Sequence, residues 1–386
     1  MSGGIATAMG RVLVVLAALV MTGCQIGQPA SRPSSARTAG PSPSPTSGFP
    51  ASSSRTQPPI ISSRPSGPLV AVVESGQPPF TIRLISVDGR EGVRYTAPLG
   101  YTPIAAGGDL ALMRSDQGQI TALSRDGRLY DLGTLPPSST GPLISPDGKL
   151  WLTTSEQWDQ ATGIIHSSVF LGPLGRQGTL VEKADQQQRD LRGFSWTALG
   201  PTVEHGAVGI GGYIVFYNTS GPVDRIDPAT AAASPLSYDA AACGFSDLAR
   251  DGRIACVTMN PVALRVYGAG AFKTIALPQP RFKLAGGAYF NPSIPDQLVI
   301  GGTQLAGAPQ ERFETDLVNL ADGTLKQVGP PNSRPAPGPW AWLADGSLIL
   351  AVPDYSAGPN PGTYLLKPDG TSAKISSGQP FGVLPG

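Results

Sequence analysis

The stretch Pro142-Leu143-Ile144-Ser145-Pro146-Asp147-Gly148-Lys149-Leu150-Trp151-Leu152 reads as two short apolar strands on either side of a tight turn. Glycine after aspartate accepts the positive φ that such a turn demands, and the aspartate side chain can bond its own backbone two residues on. The same grammar returns along the chain. Asp-Gly stands at Asp88, Asp126, Asp147, Asp251, Asp322, Asp345 and Asp369, mostly between runs rich in Val, Ile, Leu, Tyr or Trp. With 49 Gly and 40 Pro in 386 residues, the chain has many turns and little room for long helices. The expected class is all-β.

The turns are periodic. Outer hairpin turns are expected at Asp88-Gly89, Asp126-Gly127, Leu174-Gly175, Asp227-Pro228, Ala269-Gly270, Asp322-Gly323 and Asp369-Gly370. They recur every 38 to 53 residues, the span of a four-stranded propeller blade. A second set alternates with them, at Gly107-Gly108, Asp147-Gly148, Asp251-Gly252, Pro295-Asp296 and Asp345-Gly346. Short apolar runs follow these inner turns, such as Leu110 to Met113, Ile254 to Val257 and Ser347 to Leu350. Such runs suit strands buried between neighbouring blades. Ser145-Pro146-Asp147-Gly148 before an apolar strand resembles the WD40-like repeat of TolB-type β-propellers, with Ala344-Asp345-Gly346 and Arg250-Asp251-Gly252 as weaker copies.

Seven units fit, at 68–99, 100–138, 139–189, 190–239, 240–281, 282–335 and 336–386; the fourth has several candidate turns between Thr202 and Tyr213. The first unit lacks an innermost strand. Gln379 to Leu384 can supply it and close the ring without leaving a sheet edge, with Ile60-Ile61 as the competing donor.

The N-terminus carries an address. Arg11 precedes the apolar run Val12 to Met21, which is too short to span a bilayer but fits a signal-peptide core. Met21-Thr22-Gly23-Cys24 resembles the bacterial lipobox, with methionine where that motif favours leucine. The resemblance implies removal of residues 1–23, lipidation of Cys24 and residence on the extracytoplasmic face of the cell membrane. An ordinary secretion signal and an uncleaved anchor are the competing readings. Of the 43 residues from Gln25 to Gly67, 28 are Ser, Pro, Gly or Thr; residues 24–67 therefore read as a disordered tether. It holds four arginines and no acid, whereas the body at 68–386 holds 23 bases against 27 acids. The net charge of +1 leaves no global basic footprint for nucleic acid.

Chemistry is sparse. The two histidines, His166 and His205, are too few for zinc clusters and are read as structural or surface residues. No HExxH, GxSxG or phosphate loop is present, and nothing calls for a cofactor or metal site. Cys243 and Cys256 flank one inner hairpin outside the cytoplasm, where a disulfide can persist. The two-residue turn register does not set them opposite one another, so a bond requires a bulge or a wider loop; two buried thiols are the alternative.

In a four-strand meander the inner and outer turns share one face, and the connections between second and third strands emerge on the other. Long loops are expected there, from Ser155 to His166, Thr303 to Thr315 and Pro353 to Gly362. Glu156, Trp158, Asp159, Arg312, Phe313, Asp354 and Tyr355 are the expected recognition surface, with aromatic and arginine anchors of the kind enriched at interfaces. Trp158 and Phe313 can instead fold back as caps on the core, and Trp151, Trp196, Trp340 and Trp342 are expected to pack within blades. The sequence thus leads to a lipid-anchored, non-catalytic propeller that binds another envelope protein or a glycan. A hydrolase or lactonase with a carboxylate or calcium site in its channel, and an accessory subunit of a membrane sensor or transporter, are the alternatives.

Overall fold

The computed structural model describes residues 58–62, 66–74, 76–135, 139–159, 164–183, 189–211, 214–218, 222–259, 261–268, 271–277, 284–305, 311–336, 341–354 and 360–385. All fall within one compact unit, Ser54–Gly386. The lipobox, the tether up to residue 57, Ala269-Gly270, Trp340 and Tyr355 lie outside the described residues.

The strands group into seven antiparallel blades. The first contains β1 (Ile60–Ile61), β2 (Leu69–Val73), β3 (Thr81–Ser86) and β4 (Glu91–Thr96), and the second β5 (Tyr101–Gly107), β6 (Leu110–Ser115), β7 (Gln119–Ser124) and β8 (Leu129–Thr134). The third is β9 (Ser139–Ile144), β10 (Leu150–Asp159), β11 (Ile164–Pro173) and β12 (Thr179–Lys183). The fourth is β13 (Arg189–Thr197), β14 (Gly200–Gly211), β16 (Val223–Ile226) and β17 (Ala233–Pro235), with β15 (Ile214–Asn218) paired to the distal half of β14. The fifth is β18 (Gly244–Leu248), β19 (Ile254–Met259), β20 (Val262–Gly268) and β21 (Ala271–Ala276), and the sixth β22 (Leu284–Phe290), β23 (Gln297–Leu305), β24 (Glu311–Asn319) and β25 (Leu325–Gln327). The seventh is β26 (Arg334–Pro335), β27 (Leu348–Val352), β28 (Gly362–Leu366) and β29 (Ser372–Ser376), after which β30 (Gln379–Leu384) returns to the first blade.

Both chain ends join that first blade. β30 pairs antiparallel with β2, from Leu69↔Leu384 to Val73↔Gln379, and supplies the missing innermost strand. β1 pairs with β4 at Ile60↔Arg94 and Ile61↔Val93 and adds a fifth, outermost strand. The two donors are therefore not rivals; one closes the ring and the other covers an edge.

The turns are built from a short polar device. Ser145 Oγ donates to Asp147 Oδ1 at 2.7 Å, while that carboxylate accepts the Lys149 N–H and the serine oxygen accepts the Leu150 N–H. Ser86 with Asp88 and Ser124 with Asp126 repeat the arrangement in the outer turns of blades 1 and 2. These hydrogen bonds favour the ionised carboxylate and hold Asp88, Asp126 and Asp147 below the usual aspartate range. At the inner turns of blades 2 and 3, a Cβ built on Gly108 would collide with the backbone of Gly148. Glycine is required there by contact as well as by φ.

Aliphatic clusters fill most seams between blades. Leu69, Leu84, Met113 and Leu384 belong to one cluster shared by blades 1 and 2, and Leu264, Val266, Leu298 and Ile300 to one shared by blades 5 and 6. Trp151 and Trp196 are buried, and each donates its indole N–H to a backbone carbonyl, of Arg176 and Leu143 respectively. Trp342 does the same to Tyr289. These three tryptophans pack within or between blades.

Two expectations are corrected. In the segments read as long loops at Ser155 to His166 and Thr303 to Thr315 the described residues instead continue strands, because residues 150–159 pair with 164–173, and 297–305 with 311–319, in unbroken register. β-Branched and aromatic residues there favour extended backbone over a loop. In the fourth unit, Thr202 to Tyr213 contains no turn up to Gly211; β14 runs straight through it.

Candidate functional site

In blades 2 to 7 the inner turn joins the first and second strands, and in every blade the outer turn joins the third and fourth, so the turns lie at one face. Direct contacts tie these turns together. Arg125 of the outer turn in blade 2 pairs with Asp109 of its inner turn at 3.1 Å, and Arg253 of blade 5 reaches Asp296 of blade 6 at 3.3 Å. A shallow cleft of about 280 Å³ between blades 5 and 6 is lined by Arg253, Asp296, Phe272, Lys273 and Leu320. Its cations are already engaged, since Arg253 also pairs with Asp251 and Lys273 donates to the carbonyls of Leu320 and Ala321.

The opposite face is built differently. β10 and β11 remain paired beyond the last residues matched by β9 and β12, which are Ser155 and Ser168. β23 and β24 pair out to Leu305↔Glu311, past Thr303, the last residue matched by β22. In blade 4, β14 leaves its pairing with β13 at Ala207 and continues against β15. Blades 3, 4 and 6 thus raise two-stranded arms from one face.

The residues singled out in the sequence distribute over this face. Glu156, Trp158 and Asp159 sit on the arm of blade 3, paired with Ser167, Ile165 and Ile164. Arg312 sits on the arm of blade 6, opposite Gln304. Asp354 is exposed just after β27 in blade 7, and its carboxylate stands near Gly76 of blade 1. Arg312 and Asp354 are on adjoining blades; the blade 3 group is across the ring from them. They share a face and are not gathered into one pocket.

Phe313 requires a correction. It is only 5% exposed, and the Arg334 guanidinium lies 5.3 Å from its ring centroid. It caps the junction of blades 6 and 7, because strand continuation from Arg312 turns the next side chain toward the interior. Around it, Thr315 Oγ1 donates to the Ser333 carbonyl at 2.8 Å, while Arg334 Nε and Ser333 Oγ are buried without a hydrogen-bond partner among the described residues. Ser333 and Arg334, the latter against the Phe313 ring, are the residues that sequence reading missed at this junction. Arg334 lies within the proline-rich stretch Pro330 to Pro339, where no periodic signal marks it.

Elsewhere, Cys243 and Cys256 are joined by a disulfide with Cα atoms 5.6 Å apart. Cys243 lies one residue before β18, and the register shift between Phe245 and Asp247 is the bulge that such a bond requires. The bulge also buries Asp247. Its Oδ2 accepts the Phe290 N–H of blade 6 at 2.9 Å and its Oδ1 the Leu248 N–H at 2.8 Å. Burial pushes this carboxyl up to about 6 against the opposing pull of those two donors. His205 Nε2 and Asp224 Oδ2 are 3.1 Å apart on neighbouring strands of blade 4. Among the described residues, no three His, Cys, Asp or Glu side chains are grouped as a metal ion would need.

No family model matches the chain, and no curated protein matches it. Solved structures do. The acylaminoacyl peptidase of Pyrococcus horikoshii is 12% identical over 80% of this chain, with a TM-score of 0.50; the match spans about half (52%) of the peptidase's own length. The oligogalacturonate lyase of Vibrio parahaemolyticus is 10% identical, with 82% of this chain and 85% of that chain covered and a TM-score of 0.48. The WD40 β-propeller domain of Doa1 is 10% identical, with 80% and 86% covered and a TM-score of 0.43. At such identities the likeness concerns architecture alone, and by architecture this chain is an all-β propeller of four-stranded blades.

Proposed function

We propose that the protein is a lipid-anchored, extracytoplasmic binding module whose armed face receives another envelope protein or a cell-envelope glycan. The observation that carries this reading is the contrast between faces. One is closed by short turns whose charges pair with one another; the other extends three paired-strand arms, two of which bear Glu156, Trp158, Asp159 and Arg312. Rigid β arms hold recognition residues at lower entropic cost than loops would. Cys24 carries the anchor and residues 25–67 the tether in this reading. The residues used are Glu156, Trp158, Asp159, Arg312, Asp354 and Tyr355, with Arg334 added from the junction of blades 6 and 7.

Crosslinking in intact envelopes, followed by mass spectrometry, tests the reading. Wild type is compared with a variant in which Glu156, Trp158, Arg312 and Tyr355 are all alanine. Partners lost in the variant while circular dichroism stays unchanged are the expected result. Partners retained in full would remove the armed face from the reading. The hydrolase alternative makes a different demand: a rise in Tm on adding calcium, with turnover of a lactone or glycan.

A further inference from the structure

The arm of blade 4 differs from the other two in composition. From Gly206 to Pro222 there is no charged side chain, whereas the blade 3 arm carries Glu156 and Asp159 and the blade 6 arm carries Glu311 and Arg312. Its register is Ala207↔Asn218, Val208↔Tyr217, Gly209↔Phe216, Ile210↔Val215 and Gly211↔Ile214. Positions 208, 210, 215 and 217 therefore occupy one face of the ribbon, and positions 209, 211, 214 and 216 the other. Large apolar residues stand on both. A ribbon destined for water shows apolar residues on one face at most. β15 pairs with β14 and with no other described strand.

The direction of the N-terminal strand says what this arm meets. β4 begins at the outer turn, so it runs from the turn face toward the armed face. β1 pairs antiparallel to it, with Ile60 opposite Arg94 and Ile61 opposite Val93. Pro58 and Pro59, which lead into β1, therefore enter from the armed side. The segment between Cys24 and Ile60 carries Arg32, Arg37 and Arg55 and no acid, a composition that favours anionic headgroups.

From these we infer that the β14–β15 arm is a membrane-contacting hairpin that rests in the lipid interface when the protein is anchored. This rests on the proposed anchor at Cys24. Five paired positions extend about 17 Å, enough to pass the headgroups and reach the acyl boundary. The depth is limited by the backbone itself. A two-stranded ribbon keeps unpaired N–H and C=O groups along both edges, which excludes it from the hydrocarbon centre. Phe216 and Tyr217 suit the interfacial level, where aromatic residues concentrate in membrane proteins.

The full chain carries the test. An environment-sensitive fluorescent amino acid replaces Phe216, or Ile210 on the facing strand if Phe216 proves necessary for folding; a control places the same probe at Ile294 near the inner turn of blade 6, which is 41% exposed. Each protein is bound to phosphatidylcholine–phosphatidylglycerol vesicles containing lipid brominated on the acyl chain. The expected result is a blue shift and severalfold stronger quenching at position 216 or 210 than at 294. Equal quenching at the two sites, or none at the arm, overturns the inference. Intact mass reads the anchor separately. If Cys24 bears no acyl group, coupling its thiol to a maleimide phospholipid restores membrane attachment, and the arm is then read in the same way.

Discussion

Arg125 Nη2 donates to the backbone carbonyl of Leu384 at 3.1 Å, across 259 positions of sequence. Its Nη1 donates to the carbonyl of Gly67, just before β2, and its Nε pairs with Asp109. One side chain on the outer turn of blade 2 therefore holds both the entry to β2 and the end of β30. Arg125→Ala should lower stability by on the order of 2 kcal/mol, the scale of lost charge-assisted hydrogen bonds. Arg125→Lys should recover only part of it, because an ammonium cannot reproduce the guanidinium fork. Urea denaturation of both variants provides the check; an unchanged midpoint for Arg125→Ala would argue against the clasp.

Removing β30 should cost far more. A chain ending at Gly378 leaves the inner edge of β2 without its ladder and uncovers Leu69, Val70 and Val72, all fully buried in the intact protein. The expected outcome is a large fall in Tm, with loss of a single cooperative transition in calorimetry. A truncated chain that melts as the full one does would mean that the ring closes by another route.

Asp247 gives stability a pH dependence of unusual sign. Folding raises its pKa from 3.8 to about 6, so the folded state holds this proton more firmly than the unfolded chain does. The contribution is fully present below pH 4 and is lost as pH rises through 6, by on the order of 3 kcal/mol in total. The turn carboxylates Asp88, Asp126 and Asp147 act in the opposite sense: their depressed pKa values favour the fold above pH 4, and that benefit is lost on acidification. Subtracting the stability curve of Asp247→Asn from that of wild type isolates the first effect. The difference should decline between pH 4 and 7, and parallel curves would contradict it.

The disulfide should be stabilising in the ordinary range. Cys243 and Cys256 close a loop of 13 residues, for which a loss of about 2 to 3 kcal/mol is expected on Cys243→Ser with Cys256→Ser. The comparison of guanidinium midpoints should show the double variant and the reduced wild type falling together. Divergence between them would point to strain or packing introduced by serine.

Gly108→Ala is the sharpest test of packing between the turns. A Cβ there meets the Gly148 backbone, and φ is +54°, so strain and collision add. A cost of about 1 to 3 kcal/mol is expected. Gly133→Ala, at φ +85° with no atom near its Cβ position, isolates the conformational part and should cost less.

Much of the architecture was legible because the blade repeats its punctuation. Ser145-Pro146-Asp147-Gly148 encodes both a turn and the strands around it in local hydrogen bonds, and of the six boundaries between units four fall in the links between observed blades. The third cuts β13 after Arg189, and the sixth leaves β26, a two-residue strand containing Pro335, inside the expected sixth unit. The arms were less legible. Their residues read as loops because Ser155 and Gly163 in one segment and Gly307 and Pro309 in the other resemble linkers, whereas cross-strand pairing over ten positions in blade 3 outweighs those local preferences. Phe313 shows the same limit at one residue. Its neighbour Arg312 and its own aromatic character suit an interface, and only the register of β24 and the position of Arg334 assign it to the interior. Asp247 had no sequence signal at all, since it sits at a bulge in the β18–β19 hairpin and its partner, the Phe290 N–H, comes from the next blade.

The placement of β1 also sets how force would enter the molecule. Tension on the N-terminal segment is taken first by the pairs Ile60↔Arg94 and Ile61↔Val93 and by the hydrogen bond from the Ser62 N–H to the Gly92 carbonyl. These bonds lie across the pull and so resist in shear. When they part, the released slack runs to Leu69, which is held on one side by β3 and on the other by β30. A short outermost strand thus acts as a mechanical fuse, yielding before the load reaches the strand that keeps the ring closed.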